Sequence, residues 1–255
     1  MGSPVAELIE VEELGHRFRD GSWGLRNLNL KIAERDILLL AGRNGSGKTL
    51  LARHLIGLAR PSTGRVLYRG TAVDRDPERA RRAIGLVFQD SEAQIVGQTV
   101  IEDASFGPYN LGWSPELVRD RAGRALALVG LEDRHERRPD SLSGGERRRL
   151  AIAGILAMEP ECVVLDEPFA NLDLVAIRQV LDVIRRLAAA GRTLVIVTHE
   201  LEKCLAHASR LVIMDGGSIA YDGAPEGPPP ERFEDYGLVN PYRYGRRREE
   251  LTWLT

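Results

Sequence analysis

The most constraining feature of the sequence is a glycine-rich segment between an apolar run and a helical pattern. Residues 42–49 are Gly-Arg-Asn-Gly-Ser-Gly-Lys-Thr, and the five residues before them are apolar. The apolar run predicts a strand buried on both faces, and residues 48–58 have the pattern of a helix. A strand, a glycine-rich turn and a helix in this order predict a loop that wraps its backbone N–H groups around phosphates.

Each polar position of this loop has a chemical reason. The helix N-terminus adds partial positive charge, Lys48 would place its ammonium on the β and γ phosphates, and the Thr49 hydroxyl would ligate Mg²⁺. The candidate ATP-binding residues are Gly42, Arg43, Asn44, Gly45, Ser46, Gly47, Lys48, Thr49 and Leu50.

A second apolar run ends in two carboxylates. Residues 162–165 predict another buried strand, and Asp166 and Glu167 follow it directly. Ligands of open α/β sheets bind at the carboxyl ends of strands, so Asp166 would hold Mg²⁺, usually through water, and Glu167 would polarise an attacking water. Taken alone, Asp-Glu after a strand is often a solvated turn or a helix cap; the phosphate loop makes the catalytic interpretation the better one.

The remaining pattern indicates an α/β fold. Residues 84–88 and 193–198 predict further buried strands, separated by helical stretches such as residues 175–190, and this alternation is typical of a parallel sheet covered on both faces. Residues 91–142 differ, because they lack apolar runs and contain a helix start at Ser114-Pro115. We expect a helical insertion in the core.

Composition excludes some classes. The chain has 255 residues and a formal net charge of −2, so no overall field attracts nucleic acid. Its apolar stretches are far shorter than the roughly 20 residues of a spanning helix, so any role at a membrane would be peripheral. Cys162 and Cys204 are expected to be buried, reduced thiols.

Residues 142–146, Leu-Ser-Gly-Gly-Glu, precede a predicted helix that runs to about residue 158. Ser143 and the N–H groups after it would form an anion site at that helix start. Such a segment alone is a common turn. In a chain that already has a phosphate loop, however, a second phosphate-type site implies that it serves another subunit.

These motifs, in this order, resemble the ATP-binding-cassette (ABC) ATPases over about residues 5–225. The resemblance implies a P-loop NTPase (RecA-like) core, an N-terminal antiparallel β subdomain and a helical subdomain inserted at about residues 91–150. The ATPase domain would span residues 1–225. Residues 142–146 are similar to the family signature, with Glu146 where Gln is commonest.

The resemblance also assigns single residues. Gln89 is similar to the glutamine that touches Mg²⁺ and senses the transporter, and His199 to the switch histidine at the γ-phosphate. Asp173 is similar to the D-loop aspartate that crosses the dimer, although it could also cap the next helix. Phe18 stands where the family places an aromatic ring against adenine, although it could also be core.

The implied mechanism needs two chains. Two ATPase subunits, identical or paralogous, would meet head to tail, with ATP between residues 42–49 of one and residues 143–145 of the other. The catalytic set would be Lys48, Gln89, Glu167 and His199; the Mg²⁺ ligands would be Thr49, Gln89 and Asp166. The residues acting in trans would be Ser143, Gly144, Gly145, Glu146 and Asp173.

Residues 89–100, 102–112 and 152–158 resemble the ATPases of energy-coupling factor (ECF) importers of vitamins and transition metals. The resemblance implies a short helix over residues 91–97 that contacts a transmembrane coupling protein. The alternative is ordinary packing of the helical subdomain, with Ile95 and Val96 in the core.

Five aromatic residues cluster in the tail, residues 226–255, of a chain that is otherwise poor in them. They are Phe233, Tyr236, Tyr242, Tyr244 and Trp253. Residues 237–241 resemble the Gly-Leu-x-x-Pro tail of ECF ATPases. We expect this tail to pack on its own core or on the dimer mate.

The leading hypothesis is therefore the ATPase of an ECF-type importer at the cytoplasmic face of the membrane, working with a substrate-binding membrane subunit. An alternative is the ATPase of a binding-protein-dependent ABC importer. A soluble ABC protein acting on DNA or ribosomes is disfavoured, because we find no second cassette, coiled coil or strongly basic linker.

Overall fold

Two sheets organise the chain, which a computed structural model describes over residues 7–254. The first six residues of the expected ATPase domain, and the side chain of the tail residue Tyr244, lie outside the described part. The smaller sheet is antiparallel, in the order β2-β1-β4-β5. Its strands are β1 Glu7–Arg17, β2 Trp23–Ala33, β4 Thr63–Tyr68 and β5 Thr71–Ala72.

The larger sheet has six strands in the order β10-β9-β3-β8-β7-β6. Five are parallel, and β10 runs antiparallel to its neighbour β9. The strands are β3 Ile37–Ala41, β6 Ile84–Val87, β7 Cys162–Asp166, β8 Thr193–Val197, β9 Arg210–Asp215 and β10 Ser218–Gly223. The predicted buried strands near residues 37, 84, 162 and 193 are confirmed.

Within the described residues, six α-helices lie between these strands in the sequence: α1 Lys48–Leu55, α2 Pro77–Ala83, α3 Val100–Asn110, α4 Pro115–Leu128, α5 Gly144–Leu156 and α6 Leu174–Ala189. Five of them begin after a side chain that accepts a hydrogen bond from the first turn, namely Asp76, Thr99, Ser114, Ser143 and Asp173. Each such cap stabilises a helix by roughly 1 kcal/mol. α1 ends earlier than predicted, where Gly57 adopts a positive φ of 69°.

The core lies on both faces of the larger sheet. Successive residues of β3 alternate between the two layers, with Leu39 and Ala41 facing one cluster and Leu38 and Leu40 the other. α3, α4 and α5, which follow β6 and precede β7 in the sequence, pack against one another. None of the helices described in residues 7–254 has the length and apolar character that crossing a bilayer requires.

The tail packs on this core. Phe233, Tyr236, Leu238 and Leu251 are buried in the same cluster as the helices α5 and α6. The Phe233 ring meets Tyr242 edge-on at 6.2 Å between centroids. Residues 226–254 are thus continuous with the main hydrophobic core.

The predicted helix over residues 91–97 is wrong in its extent. Only Glu92–Gln94 forms one turn of 3₁₀ helix, and Ile95 is extended. The N–H groups of Val96 and Gly97 donate to Asp103 Oδ1 at 2.8 and 3.0 Å, so they are unavailable to a helix. Val96 is 57% exposed, which also excludes it from the core.

Candidate nucleotide site

The phosphate loop joins the central strand β3 to α1. Gly42 has a φ of 143°, and a Cβ there would lie 2.3 Å from the Met214 carbonyl oxygen, so glycine is required. Lys48 opens α1, and its Nζ donates to the carbonyl oxygens of Gly42 and Arg43 at 2.7 and 3.0 Å. The Lys48 ammonium is therefore held by the backbone of the phosphate loop itself.

Buried charge characterises the floor of the site. Burial lowers the pKa of the Lys48 ammonium, although Glu167 and Asp166 act to raise it. Burial likewise raises the pKa of the Asp166 carboxyl, against a hydrogen bond from Thr49. Both groups lack solvation, so each gains from a counter-charge supplied by a ligand.

An oxygen pair suits a magnesium ion. Thr49 Oγ1 donates to Asp166 Oδ1 at 3.2 Å. Gln89 and Thr49 line one cavity beside the phosphate loop. Hydroxyl, carboxylate and amide oxygens are the donors that Mg²⁺ prefers, with substrate phosphates completing its shell. Within residues 7–254, no three His, Cys, Asp or Glu side chains form a metal-binding group.

Glu167 and His199 form a pair at the ends of β7 and β8. Glu167 Oε1 lies 3.0 Å from His199 Nδ1. The glutamate backbone has a φ of 45°, and its N–H donates to the Val197 carbonyl at 2.8 Å. Its other oxygen, Oε2, is buried without a hydrogen-bond partner among the described residues. A strained, partly unsatisfied carboxylate is suited to accept a proton from a water.

Lys48, Thr49, Gln89, Glu167 and His199 all line one cavity of about 520 Å³. Its lining consists of Phe18, Gly24, Asn44, Gly45, Gly47, Lys48, Thr49, Leu50, Arg53, Gln89, Glu167, Ala170 and His199. Gly42, Arg43, Ser46 and Asp166 do not line it; Arg43 turns outward, with Nε 3.0 Å from Asp215 Oδ1.

Phe18 lies at the rim of this cavity and is 47% exposed, so it is not core. A Cβ on Gly24 would approach the Phe18 ring to 2.7 Å and the Leu50 side chain to 2.6 Å. Sequence reasoning missed Gly24, Arg53 and Ala170. A glycine inside a strand pattern, which indicates close approach of another group, is the signal that could have revealed Gly24.

The segment at residues 142–146 stands apart from this cavity. Ser143 and Glu146 form a capping box at the start of α5. The Ser143 N–H donates to Glu146 Oε2 with an N···O distance of 2.9 Å, and the Glu146 N–H donates to Ser143 Oγ with one of 3.2 Å. Ser143 and Gly144 are exposed, whereas Gly145 is buried against Ala176. Asp173 is exposed and caps α6 through the Ala176 N–H at 2.8 Å. Neither residues 142–146 nor Asp173 line the chain's own cavity, so the start of α5 is exposed outside it.

Comparison with known proteins agrees with this geometry. The model of the family described as "ABC transporter" matches residues 25–170. The energy-coupling factor transporter ATP-binding protein EcfA of Methanosarcina acetivorans is 43% identical over 221 residues, which cover 86% of this chain and 80% of that protein.

Two solved structures extend the likeness. CbiO1 of Clostridium perfringens, described as part of the ABC transporter complex cbiONQ, has a TM-score of 0.80 and 31% identity, with 86% of this chain and 89% of that one covered. A dimeric ATP-binding cassette in a post-hydrolysis state, bound to ADP and phosphate, has a TM-score of 0.77 and 26% identity, with 86% and 100% covered. With its P-loop core, its inserted helices and these matches, the chain belongs to the ABC transporter family, among the ATP-binding proteins.

Proposed function

We propose that this chain is the ATP-hydrolysing subunit of an ECF-type importer at the cytoplasmic face of the membrane. The carrying observation is that Lys48, Glu167 and His199 line one open cavity, whereas Ser143 and Asp173 do not. The hydrolytic residues thus lie in the cavity, whereas the predicted trans residues Ser143 and Asp173 lie outside it. This separation supports a head-to-tail dimer of identical or paralogous subunits, in which each chain completes its partner's site.

Within one chain, residues 42–50 bind the phosphates and Phe18 stacks on adenine. Thr49, Asp166 and Gln89 would hold Mg²⁺, which when bound neutralises charge on the β and γ phosphates. Glu167 accepts a proton from the water whose oxygen attacks the γ-phosphorus, and the bond to the β-phosphate oxygen breaks to release ADP and phosphate. His199, 3.0 Å from Glu167, holds that carboxylate in place and faces the γ-phosphate.

In trans, the partner's copies of Ser143, Gly144, Gly145, Glu146 and Asp173 close over the nucleotide. The N-terminus of α5, where Ser143 and Gly144 are exposed, would supply backbone N–H groups and partial positive charge for the γ-phosphate. Closure on ATP and opening after hydrolysis would drive the membrane subunits through a bistable interface.

Glu167→Gln tests the chemical step. The amide keeps the shape of the side chain but cannot act as a base, so the steady-state ATPase rate should fall by roughly 10²–10⁴-fold while ATP binding persists. Glu231→Gln, which removes an exposed carboxylate of the tail, is the matched control. A wild-type rate in Glu167→Gln would remove Glu167 from this role.

The ECF assignment predicts a transmembrane coupling protein that docks beside residues 91–97. The exposed Val96 at this surface supports such a contact. Co-purification from membranes should recover the coupling protein and a small substrate-binding subunit, and Val96→Asp should weaken this capture without changing nucleotide binding. Recovery of a permease that works with a separate binding protein would favour the alternative importer class.

The cargo would be a vitamin or a transition metal ion, recognised by the substrate-binding membrane subunit. We assign residues 1–225 to the ATPase domain, with its helical subdomain at about residues 91–150, and residues 226–255 to a tail. The burial of Phe233 and Leu251 supports a tail that packs on its own ATPase domain.

A further inference from the structure

Residues 251–253 of the tail bind the segment that follows His199. The Ala206 N–H donates to the Leu251 carbonyl at 3.1 Å, and the Trp253 N–H donates to the Lys203 carbonyl at 3.3 Å. His207 Nε2 lies 2.8 Å from Thr252 Oγ1. These bonds fasten two separate parts of the chain to each other.

Lys203 is at the centre of this contact. The residue is only 5% exposed, and its ammonium pairs with the Glu200 carboxylate. Its Nζ lies 4.7 Å from the centroid of the Trp253 ring and 6.0 Å from that of Phe169. A buried cation enclosed by one carboxylate and two aromatic rings holds its neighbours in a defined arrangement.

The partners of Lys203 flank the groups at the cavity. Glu200 is the residue after His199, and its N–H also donates to Thr198 Oγ1 at 3.1 Å. Phe169 follows Glu167 by two residues. One lysine side chain thus touches both turns that carry the Glu167–His199 pair.

The His199 side chain is 48% exposed, so packing around the imidazole does not by itself fix its position. The backbone before it is held by the Thr198 N–H, which donates to the Leu40 carbonyl at 3.1 Å. The backbone after it, residues 200–207, contains only short 3₁₀ turns. The tail secures that backbone, and the Trp253 carbonyl accepts from Arg178 Nε of α6 at 2.9 Å. The tail is therefore tied both to α6 and to the histidine turn.

We propose that Lys203 and Trp253 are positioning residues that hold His199 against Glu167, an inference that rests on the proposed ATP hydrolysis. Neither residue lines the nucleotide cavity. Their effect should appear in turnover rather than in ATP affinity, because the phosphate loop is on another part of the chain.

The test uses Trp253→Ala and Lys203→Met in the full chain. Since small displacements of a positioned group can cost up to about 100-fold, we expect kcat to fall about tenfold and KM to stay within about twofold of wild type. Trp253→Phe and Lys203→Arg, which keep a ring or a cation, should restore most of the rate. Arg232→Gln is the control, because it removes a cation 5.5 Å from the Tyr236 ring in the same tail.

Hydrogen exchange of the amides of residues 199–207 provides a readout that does not need activity. These amides should exchange faster in Trp253→Ala and Lys203→Met than in wild type, while those of β3 stay protected. Unchanged exchange, an unchanged kcat, or a loss confined to KM would overturn the positioning role. Wild-type protein that hydrolyses no ATP, either alone or in the complex co-purified from membranes, would refute the proposed function instead. The exchange data would still show whether the tail contact orders residues 199–207.

Discussion

Replacing Phe233 with alanine asks whether the tail is part of the core that stabilises the ATPase domain. The ring is fully buried, and a Cβ placed on Gly227 would lie 2.6 Å from it. A buried phenylalanine removes about 150–250 Å² from water, which at about 25 cal/mol per Å² is worth roughly 4–6 kcal/mol as an upper bound. Core Phe→Ala changes cost about 3–5 kcal/mol, and we expect a loss of unfolding free energy in that range.

Urea and thermal unfolding of the purified chain measure this loss. A chain of this size loses roughly 2–4 °C of Tm per kcal/mol, so the melting temperature should fall by about 6–20 °C. Val239→Ala, at a half-exposed position of the same tail, should stay within about 0.5 kcal/mol of wild type. A loss below about 1 kcal/mol for Phe233→Ala with an unchanged m-value would refute the reasoning, because the tail would then contribute little to the cooperative unit.

Three further predictions follow from the site and its surroundings. Lys48→Met should weaken ATP binding by about 10- to 100-fold, since charge-assisted hydrogen bonds are worth about 1.5–3 kcal/mol; equilibrium dialysis with labelled ATP measures this, and near-wild-type affinity would contradict the assignment. Glu146→Ala should lower the free energy of unfolding by about 0.3–1.5 kcal/mol because it opens the capping box with Ser143, whereas Glu146→Gln should largely preserve it; equal losses in denaturant titrations would exclude the cap as the cause. Burial, with a smaller effect of His16, lowers the pKa of His54 to about 4 from 6.5. The unfolded chain therefore takes up a proton that the native chain does not, and the free energy of unfolding should fall from pH 6.5 towards 4, by at most about 1.4 kcal/mol per pH unit. His54→Gln should flatten this part of the stability profile, and an unchanged slope would show that other groups cause it.

The parts of the fold that the sequence predicted well are those encoded locally. The strand, loop and helix around Lys48, and the strand before Asp166, follow from apolar runs and fixed spacing. Side-chain caps such as Ser114 likewise act within one turn. These elements require no knowledge of distant contacts.

Long-range contacts explain what the sequence could not predict. The backbone N–H groups of Val96 and Gly97 donate to the Asp103 carboxylate instead of to helix carbonyls, so the helix expected at residues 91–97 is limited to one turn. The aromatic residues of the tail indicated a packing surface, but only the folded chain shows that Phe233 enters the main core. The hairpin β9–β10 was not predicted, although its first strand is an apolar run. The roles assigned to Ser143 and Asp173 in a partner's site stay predictions.

The strand order has a mechanical consequence for the site. Lys48, Glu167 and His199 follow inner strands of the six-stranded sheet. Gln89 follows β6, which in the described part of the chain has β7 as its one strand partner and is also bonded by the Gln94 side chain. An outermost strand has fewer bonds to break when its end is displaced. The segment that carries the inserted helices leaves the core at the end of that strand, so a force on these helices would reach the sheet at its edge. In the proposed transporter, Gln89 would therefore be the member of the site best placed to shift with a membrane partner.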